Sequence, residues 1–259
     1  MRQPKSSPIP KPKTIDEVIQ HLDIIIEQSV TENNYLCAFA YVYQRTTEEI
    51  KKAIKNGRFQ NPERMGKMDV IFANLYIQAI HNYAIDKPIS KSWRFAFDLK
   101  NNSMSIIQHI LLGMNAHINL DLSVAAASVS NGKQIISLKN DFMEVSKILG
   151  ELTNTIQRGL GKASVWMRLL DIFGFKSDEK IINFSIKKAR DFAWINAMEL
   201  ALLDGKAKTG RMEEIDKRVL ELSKMIEHPP SKFLRATLKF ISGFENKDMR
   251  KVIKKLRVD

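Results

Sequence analysis

Ser103–Ser128, SMSIIQHILLGMNAHINLDLSVAAAS, is the most apolar long run in the chain. Asp121 is its only charged residue, yet it holds two of the five histidines, His109 and His117, together with Asn115 and Asn119. A run that is apolar nearly all round belongs in a helix packed on every side. Imidazoles, amides and a carboxylate buried with it must find partners. The stretch is also long enough to raise a membrane question, since about 20 apolar residues span a bilayer. Its polar side chains argue for a buried core helix and against a transmembrane segment.

Helical periodicity continues on both sides. Thr14 reads as an N-cap with Glu17 three residues later, followed by Ile15, Val18, Ile19, Leu22, Ile25 and Ile26 at helical spacing. A second helix starts near Tyr35, carries Phe39, Val42 and Tyr43 on one face, and stops at Gly57. Asn61–Pro62 opens a third, to about Ala84, and a short aromatic helix follows around Trp93. Beyond the central run, Asn131–Gly132 is a turn dipeptide. Helices are then expected over Leu138–Leu152, Val165–Phe173, Asp178–Leu203 and Met212–Ile226, with two more after Pro229–Pro230. No alternating segment is long enough for a strand, and there is no fixed-period repeat, GxGxxG, P-loop or GxSxG. The fold class is all-α: a single irregular multi-helix bundle around a buried central helix.

Charge is concentrated at the ends. The 259 residues carry a net charge of +12. Residues 1–13 contribute +4 and residues 229–259 contribute +6, which leaves +2 for 14–228. The Pro-rich basic leader, 1–13, is expected to be disordered. Residues 14–228 form the helical domain, and 229–259 are basic helices packed on or extending it. The basic ends are read as solvated rather than as contacts for nucleic acid or an anionic surface. A lone cysteine, Cys37, excludes an intramolecular disulfide and fits a reducing, cytoplasmic setting.

His109, Gly113, His117 and Asp121 are spaced by four and share a helix face. They cannot share one ion, because His109 and Asp121 stand about 18 Å apart along the axis. His117 and Asp121, about 6 Å apart, can act at one point. If a divalent metal (Zn, Mn or Fe) binds, these two are its helix ligands, completed by Asp69 or Asp141. His109 is then a general acid/base, and Arg190 joins it from a neighbouring helix. Gly113, Asn115 and Trp194 are candidate ligand contacts. Gly113 costs about 1 kcal/mol in a helix interior. Either a closely approaching helix or a pocket beside it would offset that.

The run from Gln108 to Leu122, QHILLGMNAHINLDL, resembles the signature of an uncharacterised bacterial all-helical family, a domain of unknown function of about this length. The similarity extends to Phe39, Tyr43 and Thr46, to Asp69, Phe72, Ala73 and Tyr76, and to Trp93, Ala96 and Phe97. It fades through Asp141–Phe142 and Arg190–Ala193–Trp194, covering roughly 14–205. It implies that the polar residues of the central helix belong to a family pattern, and it brings no reaction. Two functions follow as expectations. One is an enzyme or small-ligand binder with its site on the central helix, metal-dependent hydrolysis being the reaction class. The other is a non-catalytic scaffold or interaction protein with a buried polar network.

Overall fold

A computed structural model describes residues 10–99, 104–160 and 178–258, all helix and connecting turns with no strand among them. The helices are α1 (Ile15–Thr31), α2 (Leu36–Lys55), α3 (Pro62–Ala84), α4 (Lys91–Asp98), α5 (Ile106–Ala116), α6 (Leu122–Ser128), α7 (Lys139–Leu160), α8 (Asp178–Ala201), α9 (Gly205–Glu227), α10 (Lys232–Phe244) and α11 (Met249–Val258). A π-helical segment, His117–Asp121, joins α5 to α6, and a 3-10 turn, Gly132–Leu138, precedes α7. The helix expected over Val165–Phe173 and residues 1–9 of the expected leader lie outside the described residues.

Caps set several of the boundaries. The Thr14 hydroxyl accepts from Glu17 N–H at 3.2 Å, while the Glu17 carboxylate reaches back to Lys13 N–H at 2.7 Å. Asn61 accepts from Arg64 N–H at 2.9 Å ahead of Pro62, whose missing N–H costs nothing at a first helical position. Gly57, at φ +68°, ends α2 in the left-handed region that favours glycine. Two expected boundaries shift. Helix α7 runs through Gly150 to Leu160, and α9 starts at Gly205 instead of after Gly210. Isolated glycines weaken a helix by about 1 kcal/mol, which long flanking turns absorb.

The central rod, α5 through α6, is touched by α2, α3, α4, α8 and α9. It is long and apolar enough to cross a membrane, but 72% of its most apolar window is buried inside the fold. Three apolar clusters surround it. The first joins α1, α2, α3, α4 and α5, the second joins α2, α3, α6, α7 and α8, and a small third joins α6, α8 and α9. The C-terminal helices fold back on the first. Met249 and Ile253 are buried there, Tyr41 Oη donates to the Leu256 carbonyl at 2.5 Å, and Asn33 Oδ1 accepts from Met249 N–H at 2.9 Å. Of the expected leader, Pro12 is buried and its carbonyl accepts from Asn74 at 2.8 Å, while the Pro10 carbonyl lies 2.9 Å from His21 Nε2.

Candidate functional site

The π-helical segment starts at His117 and ends at Asp121. Its i→i+5 bond, from Leu122 N–H to the His117 carbonyl, widens one turn. Such single wide turns recur at functional sites. His117 Nδ1 lies 2.9 Å from Asp121 Oδ2. Trp93 on α4 donates its indole N–H to the same oxygen at 2.9 Å. Indole can only donate, so Oδ2 is an acceptor. We assign the proton of the second bond to His117 Nδ1 accordingly, which leaves Nε2 as a bare lone pair. This is how a carboxylate orients an imidazole that accepts protons.

Trp93 is itself held in place. Asp216 on α9 accepts from Lys91 N–H at 2.7 Å, from Ser92 N–H at 3.0 Å and from the Ser92 hydroxyl at 2.6 Å, so it caps α4 from outside. A relay of position therefore runs from α9 through α4 to Asp121 and His117. The rings of Phe72 and His117 stack at 3.6 Å and 9°, and Tyr43 meets the imidazole edge-on at 4.4 Å.

Beside His117 lies a cavity of about 130 Å³, walled by α2, α3, the central rod, α7 and α8. Its lining is apolar except for a few groups, among them Tyr43, Asp69, His117 and Arg190. Each of these four contributes one buried polar atom without a hydrogen-bond partner: Tyr43 Oη, Asp69 Oδ2, His117 Nε2 and Arg190 Nε. The nearby Thr47 hydroxyl donates to the Tyr43 carbonyl at 3.1 Å. Arg190 Nη2 donates to the Phe142 carbonyl at 2.7 Å, and its guanidinium sits over the Phe142 ring at 5.2 Å.

Burial sets the protonation of these groups. It pushes the Asp69 carboxyl up to about 7 and the Tyr43 phenol well above its usual range, where the Asp69 charge adds to the effect. It lowers His117, with the Asp121 carboxylate opposing, so the imidazole is neutral. Asp121 is raised by the same burial, against its bonds to His117 and Trp93. Arg190 falls to about 10, against the field of Asp191, and stays cationic at neutral pH.

The other expected site residues fall elsewhere. Asp141, expected among the metal ligands, accepts from Gln60 N–H at 2.6 Å and Asn61 N–H at 3.0 Å, with Arg64 at 3.6 Å, and so fastens the start of α3 to α7. Among the described residues no three of His, Cys, Asp and Glu gather in a way that could hold a metal ion, so the expected set of His117, Asp121, Asp69 and Asp141 is not assembled. Gly113 does not border open space. A Cβ there would meet Phe39 Cγ at 2.4 Å, so the glycine admits an aromatic ring. Asn115 donates to the Val219 carbonyl at 2.8 Å and to the Ser223 hydroxyl at 2.9 Å, and accepts from Asn119 at 2.8 Å, which ties the rod to α9. Trp194 packs on Phe142 at 5.0 Å in the second cluster and is not part of the cavity wall.

His109 is remote from this cavity, as the helix geometry requires. It stacks on Tyr35 at 4.8 Å and 17°, and both ring nitrogens lack partners. Burial, with the charge of Lys247, lowers it to about 4. Trp93, Tyr43 and Asp216 were not among the expected site residues. A phenol, an indole and a carboxylate on otherwise apolar helix faces were the available signal.

A family model matches residues 15–229, a span that includes every residue around the cavity. The chain belongs to a family of unknown function, DUF5995. The expected membership of an all-helical family of unknown function therefore holds, and the match extends past residue 205 to the end of α9. Helices α10 and α11 lie beyond it. Comparison with curated proteins and with solved structures gave no match.

Proposed function

We propose that the chain binds a small organic ligand in the cavity beside His117, and that His117 Nε2 serves as proton acceptor toward it. One observation carries this reading: four of the residues that line one largely apolar cavity each hold a buried polar atom without a partner. Leaving a buried donor or acceptor unmade costs about 1–3 kcal/mol each. Four such groups together rival the 5–15 kcal/mol by which whole domains are stable. A ligand with complementary groups removes that cost on binding, and an apolar pocket with a few convergent polar groups is the usual form of a small-molecule site.

The chemistry on offer is acid–base. Thr46 is spent on the Val42 carbonyl at 3.0 Å, and Cys37 is buried, pushed up to about 12 and not on the wall. No activated side-chain nucleophile faces the cavity among the described residues, so covalent catalysis has no support. Metal-assisted hydrolysis would need a third ligand beside His117 and Asp69. The scaffold reading accounts for Asn115, Asn119, Asp141 and Asp216, whose bonds are made, but not for the unpaired groups on the cavity.

The test is a fragment screen by scanning fluorimetry and ligand-observed NMR, on the wild-type chain and on Val145→Phe, which fills the cavity from α7. Fragments of six to eight heavy atoms should raise the wild-type melting temperature by about 2–4 °C per kcal/mol of binding and leave the variant unmoved. Fragments that bind both proteins equally, or none that bind the wild type, would overturn the reading.

A further inference from the structure

Arg190 narrows the ligand class. Its side chain is 3% exposed and lines the cavity. A buried cation is ordinarily paired with a carboxylate. Here the recorded contacts are the Phe142 carbonyl and ring, and no ion pair to Arg190 occurs among the described residues. Asp69 is on the same wall but does not serve, since neither a hydrogen bond nor an ion pair joins the two. Asp121 is turned to His117 and Trp93.

We infer that the cavity takes a small monocarboxylate, its carboxylate on Arg190 and Tyr43 and its apolar remainder against the aromatic and methionine wall. The inference rests on the cavity being a ligand site. Three features carry it. Arg190 Nε–H and Tyr43 O–H are free donors, and a carboxylate supplies two acceptor oxygens for them. One cation on the wall matches one negative charge, whereas a phosphate dianion would leave a second charge buried and unpaired. The volume, about 130 Å³, sets the size, since an apolar cavity of about 150 Å³ takes benzene. That admits about three or four carbons beside the carboxylate. Asp69, whose carboxyl is pushed up to about 7, donates a third hydrogen bond in its protonated form, which prevails below that pH. His117 Nε2 then faces the part of the ligand that carries a hydroxyl or an acidic C–H.

Isothermal titration on the full chain at pH 6.5 tests this, with butanoate and pentanoate against their uncharged counterparts 1-butanol and 1-pentanol. The wild type should bind each acid at least tenfold more tightly than its alcohol. Arg190→Lys should keep part of that preference. Arg190→Gln should lose it while still binding the alcohols, which reports an intact cavity. Equal or tighter binding of the alcohols by the wild type overturns the carboxylate and leaves the cavity reading standing. Binding of other fragments without any of these four does the same. If no fragment binds, both readings fall. Should Arg190→Gln not fold, the wild-type comparison of acid with alcohol decides alone.

Discussion

His109 and His117 lie on one face of one rod, two turns apart, and both are about 2% exposed. Their surroundings differ in every other respect. His117 sits on a widened turn, bonded to Asp121, with Trp93 fixing that carboxylate and a cavity beside the residue. His109 sits in a regular α-helical turn, stacked on Tyr35, with neither nitrogen bonded. The phenyl ring of Phe39, over Gly113, separates the two. Residue type, spacing and burial are therefore not what make a histidine useful here. The partners brought by α3, α4 and α8 are.

The sharpest way to probe the His117 end is through Asp69. The folded protein keeps the Asp69 proton up to about pH 7, while the unfolded chain releases it near the ordinary 3.8. Stability is lost as pH rises between those values and stays lost above them. The full difference is on the order of 4 kcal/mol. Tyr43, His117 and Arg190 share the cavity with Asp69, and Asp121 lies behind His117; all four are present in wild type and variant alike. Asp69→Asn should therefore be more stable than wild type by several kcal/mol at pH 8 and nearly equal at pH 4. Urea unfolding at both values checks this, and an equal gap at the two would refute the buried, unpaired carboxyl.

Next in size is His117→Phe. The new ring can keep the stack on Phe72, but Asp121 loses a hydrogen bond inside the core. Breaking one side of such a pair costs roughly 3 kcal/mol. A double mutant with Asp121→Leu should recover most of the loss, because the stranded carboxylate goes with it. A double mutant as unstable as the sum of the two single changes would mean that the dyad carries no coupling.

Gly113→Ala should cost roughly 1–3 kcal/mol, the usual price of overpacking, despite alanine's better helix propensity. Phe39 is wedged among Tyr76, Trp93 and His117 and cannot retreat cheaply. Thermal unfolding reads the loss. A second change, Phe39→Leu, should relieve part of it, and no relief would place the strain elsewhere.

Much of this arrangement was legible beforehand. Apolar spacing and caps at Thr14, Asn61 and Gly57 marked helices, and a mostly apolar run with amides and imidazoles marked the axis. Simple helical rise separated His109 from the His117–Asp121 pair. The rest depended on contacts distant in sequence. Trp93 reaches Asp121 across 28 residues, Asp141 reaches Gln60 across 81, and Asp216 reaches Lys91 across 125. Local periodicity carries no record of such pairings. It could therefore neither assign Asp141 to the start of α3 nor fill the space at Gly113 with Phe39. The wide turn at His117 was hidden for a related reason, since five residues of π-helix leave the apolar pattern almost unchanged.

The smallest effect should come from the other histidine. His109 is neutral in the folded protein, and each of its nitrogens is a buried polar atom without a partner. Replacing an unsatisfied polar ring by an apolar one of similar shape removes that cost and leaves no partner stranded. His109→Phe should keep the stack on Tyr35 and gain about 1 kcal/mol at pH 7.5. Acid should widen the gap. The unfolded wild-type chain takes up a proton near the ordinary 6.5, whereas the folded one waits until about 4, so the wild type loses stability as pH falls between those values and the variant does not. Denaturant titrations of both proteins at pH 7.5 and 5 measure it. If His109→Phe were instead as damaging as His117→Phe, the nitrogens of His109 would have a partner after all, and the contrast between the two ends of the rod would disappear.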